Sequence, residues 1–300
     1  MRAFIKCLPS HSSPILPNLA GACLQLLMAA SQSQATNESV ASLTCRAMSV
    51  LEVILYENLF KAGASTRITG DPAAKQQAEA AFGAFFTQAT VAQVIELLAS
   101  SYCSMSPSQL ARWEESPEAF ANESDAQGDF APSARAIRLV IQLAHRMPQD
   151  VGSVFNDLVK RVGGIIASCC DGAGAGSAAN LLLCDSILGC VQETCHDIKG
   201  HVPLPQIAAS LVLPCMSHPS CHRVLLRRCC LFLGETSTLL AGVDRSLIFQ
   251  AILHAMSHDD AAVALAACSA ISQCMDGLDL SSAQGHLCVH RREQTATHKP

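Results

Sequence analysis

The chain has 300 residues and a net charge of −5; half of its residues are hydrophobic, 4% are aromatic and 15% charged. Its charge is too low and its aliphatic content too high for a largely disordered protein. An acidic balance also argues against a general nucleic-acid or anionic-membrane binder, which would be basic.

From the N-terminus, residues 1–14 read as an irregular segment carrying Arg2 and Lys6. No acid precedes Glu38, and the apolar run 19–30 could suit a targeting peptide. Pro9, Pro14 and Pro17 favour a helix entered after a turn instead, over about 15–31. That run is too short to span a bilayer and no other apolar run is long enough, so no membrane insertion is expected. Over 39–60, Leu43, Ala47, Val50, Leu51 and Ile54 form a helical stripe. Helices are expected at 72–87 and 90–103, and again at 132–146, where Ile137, Val140, Ile141 and Ala144 oppose Arg135, Arg138 and Gln142. At 150–169 the stripe is Phe155, Leu158, Val159, Val162, Ile165, Ile166 and Cys169. The Gly/Ala run 171–179 reads as a flexible loop, without the Lys-Ser/Thr of a phosphate cradle. Further helices follow at 177–198, 204–216, 220–235, 244–257 and 259–275, the last with Val263, Ala267, Ala270 and Cys274 on one face. Residues 277–300 turn polar and are expected to be disordered.

Prolines punctuate these runs, at Pro72, Pro107, Pro117, Pro132, Pro148, Pro203, Pro205 and Pro219. Helices of about 12–20 residues with brief turns between them predict stacked helical hairpins. One echo supports a repeat: Met216-Ser217-His218 recurs as Met256-Ser257-His258, 40 residues on, each time opening an apolar helix. That spacing falls in the range of HEAT and armadillo repeats. The expected fold is therefore all-α, an α-solenoid of HEAT/armadillo-like hairpins over 15–276 in a right-handed superhelix. Consecutive helices are expected to pair as 15–31 with 39–60, 72–87 with 90–103, 132–146 with 150–169, 177–198 with 204–216 and 220–235 with 244–257. The helix at 259–275 is left without a partner, as in a fragment, a truncated gene model or a unit docked on another protein.

Sixteen cysteines would suit a disulfide framework, but most sit in apolar helical runs (Cys23, Cys45, Cys184, Cys190, Cys229, Cys230, Cys268, Cys274). There a thiol acts as a small hydrophobe, and reduced thiols are expected. Cys195, His196, His201, Cys215, His218, Cys221 and His222 form the densest metal-like cluster. Pro219 interrupts it at a helix boundary, and a repeat turn explains it better than zinc. His254 and His258 read as a solvated helix end, and His286, Cys288 and His290 as a weaker set still. The neighbours Cys195 and His196 point about 100° apart on a helix and so make a poor nucleophile–base pair. No catalytic residue, cofactor or metal is assigned; a zinc- or thiol-dependent enzyme is the distant alternative.

Two charge features remain. An acidic loop at about 114–130 includes Glu114, Glu115, Glu118, Glu123, Asp125 and Asp129. As a solvated loop it needs no function; as a negative patch it would attract a basic partner. Arg223 and Arg227, four apart on an apolar helix beside Arg228, are expected on its solvent or concave face, in reach of an acidic partner.

Residues 106–120, SPSQLARWEESPEAF, resemble a motif of the importin-beta (karyopherin-beta) family, in which a short helix ends in Trp-Glu-x-x-Pro-Glu-x-Phe before an acidic stretch. The segments 224–235, VLLRRCCLFLGE, and 259–268, DDAAVALAAC, are similar to its importin-eleven branch. The resemblance implies a HEAT superhelix that wraps protein cargo, grips Phe-Gly nucleoporins between outer helices, and releases cargo on Ran-GTP. It implies shuttling between cytoplasm and nucleus, and it places the chain in the middle of a receptor several times longer. An acidic face would steer basic cargo. Another HEAT or armadillo adaptor of a cytoplasmic complex is the alternative.

Overall fold

The computed structural model describes residues 13–33, 38–56, 72–124, 131–170 and 178–276. Among them every regular element is helical. A 3-10 turn, Ser13–Ile15, leads into α1 (Leu16–Gln32), then α2 (Glu38–Tyr56) and α3 (Pro72–Phe85). Helix α4 (Gln88–Leu97) ends in a π-helical stretch, Leu98–Tyr102. Two short helices follow, α5 (Pro107–Glu115) and α6 (Pro117–Ser124), then α7 (Pro132–Arg146), α8 (Pro148–Cys170) and α9 (Ala178–Ile198). The remaining four are α10 (Leu204–Ser217), α11 (Arg223–Thr236), α12 (Arg245–Met256) and α13 (Ala261–Asp276).

Local chemistry sets the helix starts. Prolines open α3, α5, α6, α7 and α8, where a missing N–H costs nothing and the fixed φ suits the first turn. Ser106 and Gln109 form a reciprocal capping box on α5, Thr87 caps α4 and Asp244 caps α12. Gly242, with φ of +84°, supplies the left-handed residue of the turn before α12. Within α10, Pro214 cannot donate to the turn before it, and the helix passes through a π-helical stretch, Ala208–Val212, just ahead of it.

The helices stack in two rows. The front row is α2, α7, α9, α11 and α13, each packed on the next; in the back row α4, α8, α10 and α12 follow one another, and Tyr102 ties α4 to α1 by donating to the Leu27 carbonyl at 2.6 Å. This is an all-α solenoid of HEAT/armadillo-like hairpins. A continuous aliphatic core lies between the rows, with Leu27, Ile54, Leu98, Leu143, Phe155, Leu188, Phe232 and Ala267 fully buried along its length. Helices α11 and α13 approach closely at Gly234 of α11, where a Cβ would stand 2.8 Å from the Cα of Ala270 in α13.

The pairing differs in phase from the sequence expectation. Helix α8 packs along α9 far more extensively than against α7, α12 packs on α13 more than on α11, and α10 pairs with α11 rather than α9. Among the described residues the hairpins are thus α1–α2, α4–α7, α8–α9, α10–α11 and α12–α13. The helix at 259–275 has its partner in α12. Helix α3 does not form a hairpin with α4: it packs on α1 and on the Ser13–Ile15 turn, and the chain bends by 57° between them. The re-phasing follows from α3 standing outside the two rows, which leaves α4 to pair with α7 across the α5–α6 insertion. The expected acidic loop is accordingly helical through Ser124, because Pro117 and Glu118 suit a first turn. Residues 1–12, 171–177 of the Gly/Ala run, Asp125, Asp129 and the tail 277–300 lie outside the described residues.

By length and composition α2 could cross a membrane. Here it is a core helix: Ala47, Met48, Leu51, Ile54 and Leu55 are buried between α1 and α7, and its Glu52 pairs with Arg135 of α7 at 3.3 Å.

Candidate functional site

Front-row helices are all second members of hairpins, so they run parallel and present their N-termini along one edge. The α5–α6 insertion leaves the second hairpin at that edge and reaches as far as α13. Its anchor is Trp113, fully buried in a chain with a single tryptophan. The indole Nε1 donates to both oxygens of Asp260, at 2.9 and 3.1 Å, across 147 residues. Phe120 of α6 stacks on the indole at 5.1 Å and 9° between planes. The guanidinium groups of Arg223 and Arg227 lie over the same ring at 5.6 and 5.8 Å, and Arg227 also covers Phe120 at 5.4 Å. Asp260 caps α13 as well, accepting from the Ala262 and Val263 amides at 3.0 and 3.3 Å, and takes Arg223 Nη1 at 3.3 Å. A buried carboxylate is tolerable only when so fully hydrogen-bonded.

The residues singled out from sequence converge here. Glu114 is exposed and meets Arg223 Nη2 at 3.5 Å. Arg223 and Arg227 turn their heads onto this Trp113–Phe120–Asp260 cluster, the clasp, rather than standing out on an open face, because a neighbouring aromatic pair and a buried carboxylate hold them there. Glu115 and Glu118 are exposed beside them and keep the acidic character of this edge.

The Met-Ser-His echo is the same turn twice. His218 Nδ1 accepts the Ser220 amide at 3.2 Å, and His258 Nδ1 accepts the Asp260 amide at 2.9 Å. One repeat earlier than Asp260, His222 takes the capping role at α11, accepting the Val224 amide at 3.3 Å. Burial first, then Arg223, holds His222 below the usual histidine range.

Of the metal-like cluster, the histidines at 218 and 222 are spent on these turns, and His201 packs its Cβ where a side chain on Gly152 would go. Cys215 and Cys221 lie 3.4 Å apart, sulfur to sulfur, and the Cys229 thiol shares a hydrogen bond with Cys215; all three are thiols rather than disulfide sulfurs. Cys195 and His196 of that cluster instead converge with Glu235, the three bringing one donor atom each to within 4.8 Å of one another. Cys195 is buried and His196 exposed, in keeping with their expected divergence on the helix, yet both donor atoms stay within reach of Glu235 near the end of α11. Burial, then Glu235, pushes the Cys195 thiol up to about 11, the opposite of an activated nucleophile.

Sequence reading passed over one buried ion pair. Arg228 Nε donates to Asp185 of α9 at 2.8 Å and its Nη1 to Gln192 at 3.0 Å, with Gly189 leaving room for the guanidinium. Burial opposes the charge on Arg228, but Asp185 and Glu193 outweigh it and raise its pKa. The signal was a lone acid in the apolar run around 185 and an arginine in a cysteine-rich helix.

The back row carries an open groove of about 520 Å³ between α10 and α12, lined by Leu213, Met216, Val243, Leu247 and Ala251. Leu247 is 52% exposed at its edge.

The fold recurs in Lph2 of S. cerevisiae, described as a bidirectional nuclear transport receptor, with a TM-score of 0.66 over 91% of this chain and 18% sequence identity. The match takes in 27% of that receptor's chain. No protein-family model and no curated protein matches this sequence.

Proposed function

We propose that this chain is a protein-binding scaffold of a nuclear transport receptor, a portion of a longer solenoid that carries cargo between cytoplasm and nucleus. The observation that supports this most is the likeness of nearly the whole two-row stack to one stretch of a transport receptor. The motif around Trp113 supports the importin-beta family and its importin-eleven branch more narrowly. Binding suits the geometry: a stacked solenoid offers long continuous faces without dedicated chemistry, and among the described residues the convergent thiol is protonated near neutral pH rather than poised for attack.

In this reading Glu115 and Glu118 steer a basic cargo toward the clasp edge. Aromatic side chains of Phe-Gly nucleoporins dock in the α10–α12 groove, which is mostly apolar, open and roomy enough for about three rings. Ran-GTP is the releasing partner. The test is capture of Phe-Gly repeat peptide and of Ran-GTP by the immobilised 300-residue chain. The peptide is expected to bind, and Leu247→Asp to weaken it about tenfold or more, the equivalent of about 1.4 kcal/mol. Failure of both ligands to bind would remove the transport reading and leave a HEAT or armadillo adaptor of another complex.

A further inference from the structure

We infer that the C-terminal ends of α9 and α11 form a site for a zinc-class divalent cation, with Cys195, His196 and Glu235 as its ligands. The three donor atoms already lie within 4.8 Å of one another, one from each side chain. Tetrahedral zinc, with bonds of about 2.0–2.3 Å, needs its donors about 3.5 Å apart. Closing that gap takes about 1 Å, within the play of a histidine or glutamate side chain at a helix end. The donors are one sulfur, one imidazole nitrogen and one carboxylate oxygen. That mixture selects zinc and its neighbours over magnesium or calcium, which require oxygen shells.

Burial is graded across the trio. Cys195 is 1% exposed, Glu235 half-buried and His196 exposed. An ion would therefore rest against the core and keep its outer side open to water, which supplies the fourth ligand. Local charge favours a cation. The exposed carboxylate of Glu193 lies close to Glu235. Gln273 of α13 donates to Glu235 Oε2 at 3.4 Å, which orients that carboxylate and leaves its other oxygen for the ion. On binding, the Cys195 thiol gives its proton to solvent and the sulfur takes the ion, so affinity rises with pH. The clasp joins α11 to α13 at their N-terminal edge; the ion would join α9 to α11 at the opposite edge.

The test uses the full chain stripped of metal and titrated with Co²⁺, then Zn²⁺. Expected is one equivalent of cobalt with a thiolate-to-cobalt charge-transfer band, displaced by zinc, and a rise in Tm on adding zinc. Cys195→Ser should abolish the band. The exposed His196→Ala, which leaves the core intact, should weaken binding at least about tenfold, as should Glu235→Gln. Cys268→Ser, at an exposed thiol of α13, should change nothing. Absence of the band from the native chain, or its survival in both Cys195→Ser and His196→Ala, would overturn the assignment.

Discussion

The most heavily committed single side chains are the buried charges. Arg228 and Asp185 are 16% and 4% exposed, and each satisfies the other between α9 and α11. Removing one leaves the other charged in the core, which costs about 3–5 kcal/mol, whereas replacing both with apolar residues of similar volume costs far less. Asp185→Asn, Arg228→Met and the Asp185→Leu/Arg228→Met pair, compared by urea denaturation, should show that non-additivity. The buried thiols make a second prediction. Burial pushes Cys230 up to about 12 and Cys195, with help from Glu235, up to about 11. A folded value raised above the unfolded one gives stability that is complete below the ordinary thiol range. That stability is lost as pH rises through the folded values. The urea midpoint should fall steadily from about pH 9 to about pH 12, with a shallower slope in Cys230→Ala.

Among elements, α5–α6 stands apart, because it serves neither row. Helix α5 has nine residues, too few for much intrinsic stability, and holds its place through Trp113. Trp113→Ala should cost about 3–5 kcal/mol and expose the insertion to protease. Trp113→Phe keeps the ring stack but leaves Asp260 short of its indole donor, a loss of about 1–3 kcal/mol; denaturant curves and limited proteolysis of the two variants should separate packing from hydrogen bonding. Elsewhere the periodicity of α8 and α13 foretold their buried faces: Phe155, Leu158, Val159, Val162 and Ile166 face the core, as do Val263, Ala267, Ala270 and Cys274. In α2 and α7 the buried face is wider than the expected stripe, of which Ala47, Leu51, Ile54, Val140 and Ala144 are buried. Leu43 is 49% exposed, and Ala136, Leu139 and Leu143 take the core side. Both helices pack on neighbours at more than one side, so several faces are apolar and periodicity alone does not choose among them.

For the whole molecule, polar ties cross each joint of the front row: Glu52–Arg135, His145–Asp197, Asp185–Arg228 and Arg223–Asp260. A plain solenoid unfolds as a chain of nearest neighbours. The clasp adds a contact between the second hairpin and the last, which should make unfolding of the native chain more cooperative. Trp113→Ala should therefore broaden the thermal transition and separate circular dichroism from tryptophan-free probes such as buried-thiol labelling. The sequence by itself determined helix content, nearly every helix start, the repeat length and the shared histidine turn, because prolines, caps and apolar spacing act within a few residues of themselves. Which helix pairs with which, where Arg223 and Arg227 point, and that Glu235 meets Cys195 were decided only by the tertiary structure. Those outcomes depend on α3 standing outside the rows, which shifts the hairpin phase, and on surfaces brought together over long chain separations, where no local preference operates.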